Sequence, residues 1–177
     1  MALIKGTTVS DRLLGSLLAD TIYGYAGDDE IIAGAGNDLI YAGDGNDVVE
    51  GNAGNDKIYG FLGDDVIQAG LGTDSVYGGA GDDYIDGAAG NDLLYGGGGL
   101  DTINGGIGND KIYGEAGNDN LLGLEGDDVV YGGDGDDSLS GHDGNDTLIG
   151  DDAGQSGIDE LNGGAGNDLL IGGLGGD

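Results

Sequence analysis

Cysteine, proline and tryptophan are absent from these 177 residues, and lysine and arginine together number only four. Without cysteine there is no disulfide framework and no thiolate nucleophile or metal ligand. Without proline nothing interrupts a regular winding. Four basic residues against 35 acidic ones leave a net charge of −31. Such a surface repels nucleic acid and anionic membrane, so neither is expected as a partner, and cations are. Apolar stretches are only a few residues long, so no membrane span is expected, and the opening MALIKGTTVS does not read as a secretory signal peptide. The single histidine, His142, has no cysteine or second histidine to work with, so no catalytic residues are expected and the chain reads as a non-enzyme.

What is abundant is glycine, 45 residues, and it is periodic, unlike the glycine of disordered chains. Aspartate recurs every nine residues from Asp11 and Asp20 through to Asp146, then after one thirteen-residue step at Asp159, Asp168 and Asp177. Two residues after each of these except the last stands an aliphatic, from Leu13, Ile22 and Ile31 to Leu161 and Leu170. A period held this tightly governs the architecture before any local propensity does.

Numbered from the glycine that opens each unit, the pattern is G-G-x-G-x-D-x-U-x with U aliphatic. GGAGDDYID (78–86), GGIGNDKIY (105–113) and GGDGDDSLS (132–140) are clean copies. The first six positions suit a turn, because glycine reaches backbone angles other residues avoid. The last three alternate about an apolar position 8, as in a short strand with one inward side chain. Two strands and two turns make one coil, which stacks units n and n+2 about 4.8 Å apart and aligns their carboxylates. Like charges that close call for a cation between them. Carboxylates and loop carbonyls without soft ligands select calcium rather than zinc or copper.

On these residues the chain resembles the RTX family of calcium-binding nonapeptide repeats, over nearly its whole length. The resemblance implies an all-β, right-handed parallel β-roll (a β-solenoid) with two nonapeptides per coil and calcium in the turns, between successive coils. Carried onto this sequence, the metal-ligating candidates are Asp29, Asp38, Asp47, Asp56, Asp65, Asp74, Asp83, Asp92, Asp101, Asp110, Asp119, Asp128, Asp137, Asp146, Asp159, Asp168 and Asp177. The fourteen regular turns from Asp29 to Asp146 give about a dozen or more ions. One aliphatic per nine residues is a thin core for so flexible a chain, so folding is expected only as calcium binds. RTX proteins are typically exported by bacteria, which implies an extracellular or cell-surface location. Many use a non-repeat C-terminal segment for export, and this chain stops inside a repeat.

The pattern divides the chain. Residues 1–23 hold an N-terminal strand and two degenerate units, with Val9 and Leu18 at position 4, expected to cap the roll without binding ions. Residues 24–149 are the regular roll. Residues 150–162 carry a four-residue insertion near Asp151–Ser156, expected to bulge as a loop, and residues 163–177 are the last units. Parity divides it again. Tyr23, Tyr41, Tyr59, Tyr77, Tyr95, Tyr113 and Tyr131 recur every full coil at position 9, which places seven of nine tyrosines in one ladder on one sheet. Positions 7 and 9 of that sheet carry no acid. The opposite sheet carries Arg12, Glu30, Glu50, Gln68, Asp86, Asn104, Asn120 and Glu160 and is expected to be polar. The ladder reads either as mutual stacking or as an adhesive face, for lateral association through Tyr23–Tyr131 or for glycan.

Leu3, Ile4 and Lys5 form a strand lacking its turn, while Asp177 ends a turn lacking its strand. Head-to-tail self-association through Leu3–Lys5 and Gly172–Asp177 is one expectation, giving filaments; a fragment cut at a repeat boundary is the other. Two functions stand open. One is a calcium-rigidified extracellular structural protein that polymerises into a fibre, sheath or surface layer. The other is the calcium-dependent repeat segment of a larger type I-secreted enzyme or toxin. Ice binding is discounted, because position 3 reads Ala26, Ala35, Asp44, Ala53 and Leu62 rather than a regular threonine.

Overall fold

The computed structural model describes residues 1–151 and 157–173. Among these there is no helix. Nineteen strands, the first Leu3–Lys5 and the last Leu169–Ile171, alternate between two wholly parallel sheets of ten and nine strands. Each sheet takes its strands in chain order, so the chain winds as a solenoid of two nonapeptides per coil. Ile22 pairs with Ile40 and Ile40 with Ile58, eighteen residues apart as the period requires. The insertion does not disturb this register. Leu139 still pairs with Leu161, and Leu148 with Leu170. The expected loop itself, at 152–156, lies outside the described residues.

The strands are longer than the sequence pattern suggests. Most run six residues, as Thr21–Ala26 and Leu39–Asp44 do, taking in positions 7 to 9 and then 1 to 3 of the next unit. Only positions 4 to 6 turn. The reason is cooperative rather than local: from Tyr25 to His142 every position-2 residue bends with positive φ, so glycine-rich segments still find a parallel ladder partner above and below. Gly43 and Gly79 both sit at such a bend, with φ of 129° and 126°.

The position-8 aliphatics form the core, a file of two rows between the sheets, one row from each sheet. From Ile22 to Leu148 they are 0–1% exposed, joined by Ala33, Ala42 and Ala69 at position 1. Each such aliphatic contributes roughly 1.5–3 kcal/mol by leaving water. The file thins at its ends, where Ile4 and Leu161 are partly buried and Leu170 is 44% exposed.

The outer faces differ less cleanly than parity alone implies. On the ten-stranded sheet, the longer strands bring Asp44, Glu115 and Asp134 onto a face whose positions 7 and 9 are free of acid. The nine-stranded sheet is not uniformly polar. Val48, Val66 and Tyr84 pair in one row at its position 7, each at least 40% exposed.

Candidate metal centre

From Asp29 to Asp146, each position-6 aspartate sits at the end of a turn of three residues, entered through a position-4 glycine with positive φ. That glycine is required twice over. Gly72 has φ +142°, and a β-carbon there would strike the carbonyl of Gly54 in the coil below. The tight turn directs the aspartate side chain inward, where Asp29 to Asp146 are 1–3% exposed. The sequence period places these carboxylates in two columns without saying which way they point. They point in.

One oxygen of each carboxylate is accounted for by the backbone. Asp47 donates its N–H to Asp65 Oδ1 at 2.8 Å, and Asp65 donates to Asp83 Oδ1 at 2.8 Å. The relay runs along both edges of the roll, from Asp11 donating to Asp29 Oδ1 at 2.7 Å through to Asp146 donating to Asp168 Oδ1 at 3.1 Å. The other oxygen is not. In Asp29, Asp38, Asp47, Asp56, Asp65, Asp74, Asp83, Asp92, Asp101, Asp110, Asp119, Asp128, Asp137 and Asp146, Oδ2 is buried with no hydrogen-bond donor among the described residues. An orphaned buried carboxylate oxygen is costly enough to demand a proton or a cation.

The first two units solve the same problem with protein atoms. Asp20 Oδ2 accepts from the Ser16 N–H at 2.8 Å and from the Ser16 hydroxyl at 2.7 Å. Asp11 Oδ2 accepts from the Thr7 N–H at 2.5 Å and its hydroxyl at 2.8 Å. Sequence reading singled out these units by Val9 and Leu18; the hydroxyl at position 2 of both is the signal it passed over.

Electrostatics separates the two groups. Burial, reinforced mainly by neighbouring aspartates, raises Asp47 and Asp137 to about 6. The same causes raise Asp56, Asp65, Asp83, Asp92, Asp119 and Asp128 to about 7. Burial also pushes up Asp29, Asp38, Asp74, Asp101, Asp110 and Asp146. Asp20 moves the other way, lowered first by the backbone N–H of Ala2 and then by the Ser16 hydroxyl. A carboxylate whose charged form is disfavoured by its surroundings is one whose charge awaits a partner.

Position 5 adds an outer ladder of opposite sense. Asn46 Oδ1 accepts from the Asp64 N–H at 3.1 Å, and Asp64 Oδ1 accepts from the Asp82 N–H at 2.9 Å. Inner carboxylates thus accept from the coil before and outer side chains from the coil after. No three His, Cys, Asp or Glu side chains converge on one point among the described residues. An ion here would complete its shell from turn carbonyls, which suits a hard cation with flexible oxygen coordination.

The remaining candidates fall at the far end. Asp159 is buried, Asp168 is partly buried, and Asp177 lies outside the described residues. His142, which the pattern assigned to a turn, is exposed on the strand Ser138–Asp143.

The tyrosine ladder is continuous. Its seven rings stack at 4.7–5.2 Å between centroids with interplanar angles of 2–13°. All three lysines lie over it: Lys5 over Tyr23 at 5.9 Å, Lys57 over Tyr59 at 5.1 Å, and Lys111 over Tyr113 at 5.2 Å. Two further rings join it that the eighteen-residue period does not include, Tyr25 beside Tyr23 and Phe61 beside Tyr41 and Tyr59.

A family model for the RTX calcium-binding nonapeptide repeat, in four copies, matches residues 6–40, 26–58, 41–76, 59–94, 87–121, 95–130, 122–152 and 153–177. No curated protein matches the chain.

Proposed function

The chain belongs to the RTX calcium-binding nonapeptide repeat family, whose repeats bind calcium and occur in secreted bacterial proteins, and from that premise we propose that it is an extracellular structural roll made rigid by calcium. The observation that carries the proposal is the row of fourteen buried Oδ2 atoms without donors. Asp29 to Asp146 would hold the ions, with Asp159, Asp168 and Asp177 extending the set, and about a dozen or more ions would be bound. Bound calcium supplies the positive charge that the buried carboxylates lack, so binding and folding are one event. Asp11 and Asp20 need no ion, because Thr7 and Ser16 already satisfy them. Residues 1–23 then act as a cap on the roll.

A rod of this kind is suited to building, not catalysis. Its pattern sets no nucleophile beside a base. Head-to-tail assembly into a fibre, sheath or surface layer is the finer reading. In its favour, Leu3–Lys5 and Leu169–Ile171 are the outermost strands of the ten-stranded sheet, and Leu169, Leu170 and Ile171 are each more than 40% exposed. A parallel edge strand with exposed apolar side chains invites another strand. The proposed contact includes residues 174–177, outside those described. Light scattering at about 1 mM calcium tests it: growth to long particles is expected, and a chain that stays monomeric removes the assembly while leaving calcium binding intact.

A further inference from the structure

The ten-stranded sheet carries a cleft of about 290 Å³ lined by Tyr23, Tyr25, Tyr41, Gly43, Asp44 and Phe61. Its shape comes from three successive position-2 residues on neighbouring strands. Tyr25 pairs in register with Gly43, and Gly43 with Phe61, so two aromatic side chains flank a glycine. Two strand spacings, about 9.5 Å, separate the two walls at the backbone. The Tyr41 ring lies beside the Gly43 gap. Phe61 is 6.2 Å from Tyr41 and 5.8 Å from Tyr59 between ring centroids, and Tyr25 is 6.0 Å from Tyr23. Asp44 is exposed at the rim, on the residue after the glycine.

The two walls stand where the backbone disfavours them. Tyr25 has φ +83° and Phe61 φ +85°, at a position that Gly43, Gly79, Gly97 and Gly133 fill on the same sheet. A bulky side chain there is strained and persists where something else favours it. Other side chains tolerate the position too, Glu115 among them, so strain alone assigns nothing. The strained residues here are also the aromatic ones that enclose the cleft, and they remain about 45% exposed instead of burying their rings in a core.

We propose that this cleft binds an organic ammonium ion, of the quaternary or methylated amine class. Three observations select a cation. Four aromatic rings line the cleft, the rim presents the Asp44 carboxylate, and the whole chain carries −31. The same ladder already holds every lysine ammonium of this chain against a ring face, at 5.1–5.9 Å. Lys57, on the strand that bears Phe61, reaches the other way, over Tyr59 and Tyr77, and Lys5 lies over Tyr23 at one end of the cleft, so among the described residues no lysine lies over Tyr25, Tyr41 or Phe61. The site is independent of the calcium columns, which lie inside the turns.

The test is titration of the calcium-loaded full chain with tetramethylammonium chloride, against sodium chloride at equal ionic strength. Ring-proton resonances of Tyr25, Tyr41 and Phe61 report binding. Saturable shifts are expected, with a dissociation constant on the order of millimolar. Tyr25→Gly and Phe61→Gly restore the residue usual at position 2, so the roll is expected to stay folded by circular dichroism while binding weakens at least tenfold. Asp44→Asn is expected to weaken it about threefold, and Tyr113→Leu, outside the cleft, to leave it unchanged. The proposal is overturned if shifts do not saturate by 0.1 M, or if tert-butanol binds as well as the cation. It is equally overturned if Phe61→Gly binds undiminished, or if methyl glucoside saturates the same resonances and the ammonium does not, which makes the cleft a sugar site.

Discussion

In the turn at Asp20 the inner carboxylate oxygen accepts two hydrogen bonds from Ser16; in the turn at Asp29, one unit on, the equivalent oxygen has no donor among the described residues. Both side chains are 2% exposed. Both belong to the same nine-residue pattern and to the same kind of coil. The consequence is opposite electrostatics, with Asp20 lowered by its hydrogen bonds and Asp29 raised by burial. The difference teaches that this fold does not require a metal in every turn. It requires that each buried carboxylate be closed, by a hydroxyl in the first two turns and, in the proposed reading, by a cation in the fourteen that follow.

The most severe way to break the comparison is to remove calcium at pH 7. Circular dichroism is then expected to show the strand signal lost almost completely, since two self-closed turns cannot hold a roll whose other turns are open. Acid offers the second largest effect. In the metal-free chain the raised carboxylates bind protons more tightly folded than unfolded, so the folded state gains stability as pH falls below about 7 and holds it fully near pH 4. Going up, that stability is lost between the ordinary carboxylate value and the raised one. Metal-free protein is therefore expected to recover strand structure near pH 4 and lose it by pH 7, while calcium-loaded protein is expected to show no such loss on that climb.

Single substitutions sharpen the contrast. Asp83→Asn removes one charge from the middle of a column. Calcium-loaded protein is expected to lose roughly 3–5 kcal/mol and one or two ions by equilibrium dialysis, whereas the metal-free roll at pH 4 is expected to change little. Ser16→Ala is the smallest. It removes one donor from Asp20 and leaves the N–H donors of Ala2 and Ser16 in place. Thermal melting is expected to drop by about 3 °C with the calcium count unaltered.

Much of this was legible in the residues alone. The spacing of Ile22, Ile40 and Ile58 specifies the coil, and the spacing of Tyr23, Tyr41 and Tyr59 specifies a ladder, because a strict period leaves only one register. Direction was not legible. Spacing says that Asp47 and Asp65 align, but whether they face core or solvent depends on the turn's dihedral angles. Strand length was not legible either, since glycine at positions 1 and 2 carries little strand propensity and gains its ladder only from identical neighbours. The Tyr25–Phe61 cleft was hidden because neither residue belongs to the eighteen-residue tyrosine series, and their rings meet that ladder only once position 2 is seen to lie on a strand.

The most direct measurement is the number of calcium ions held by the folded chain, by equilibrium dialysis at saturating calcium. About a dozen or more ions, unchanged by Ser16→Ala and reduced by Asp83→Asn, is the expected result. A count of two or three, or a count indifferent to Asp83→Asn, would contradict the assignment of calcium to the orphaned carboxylates.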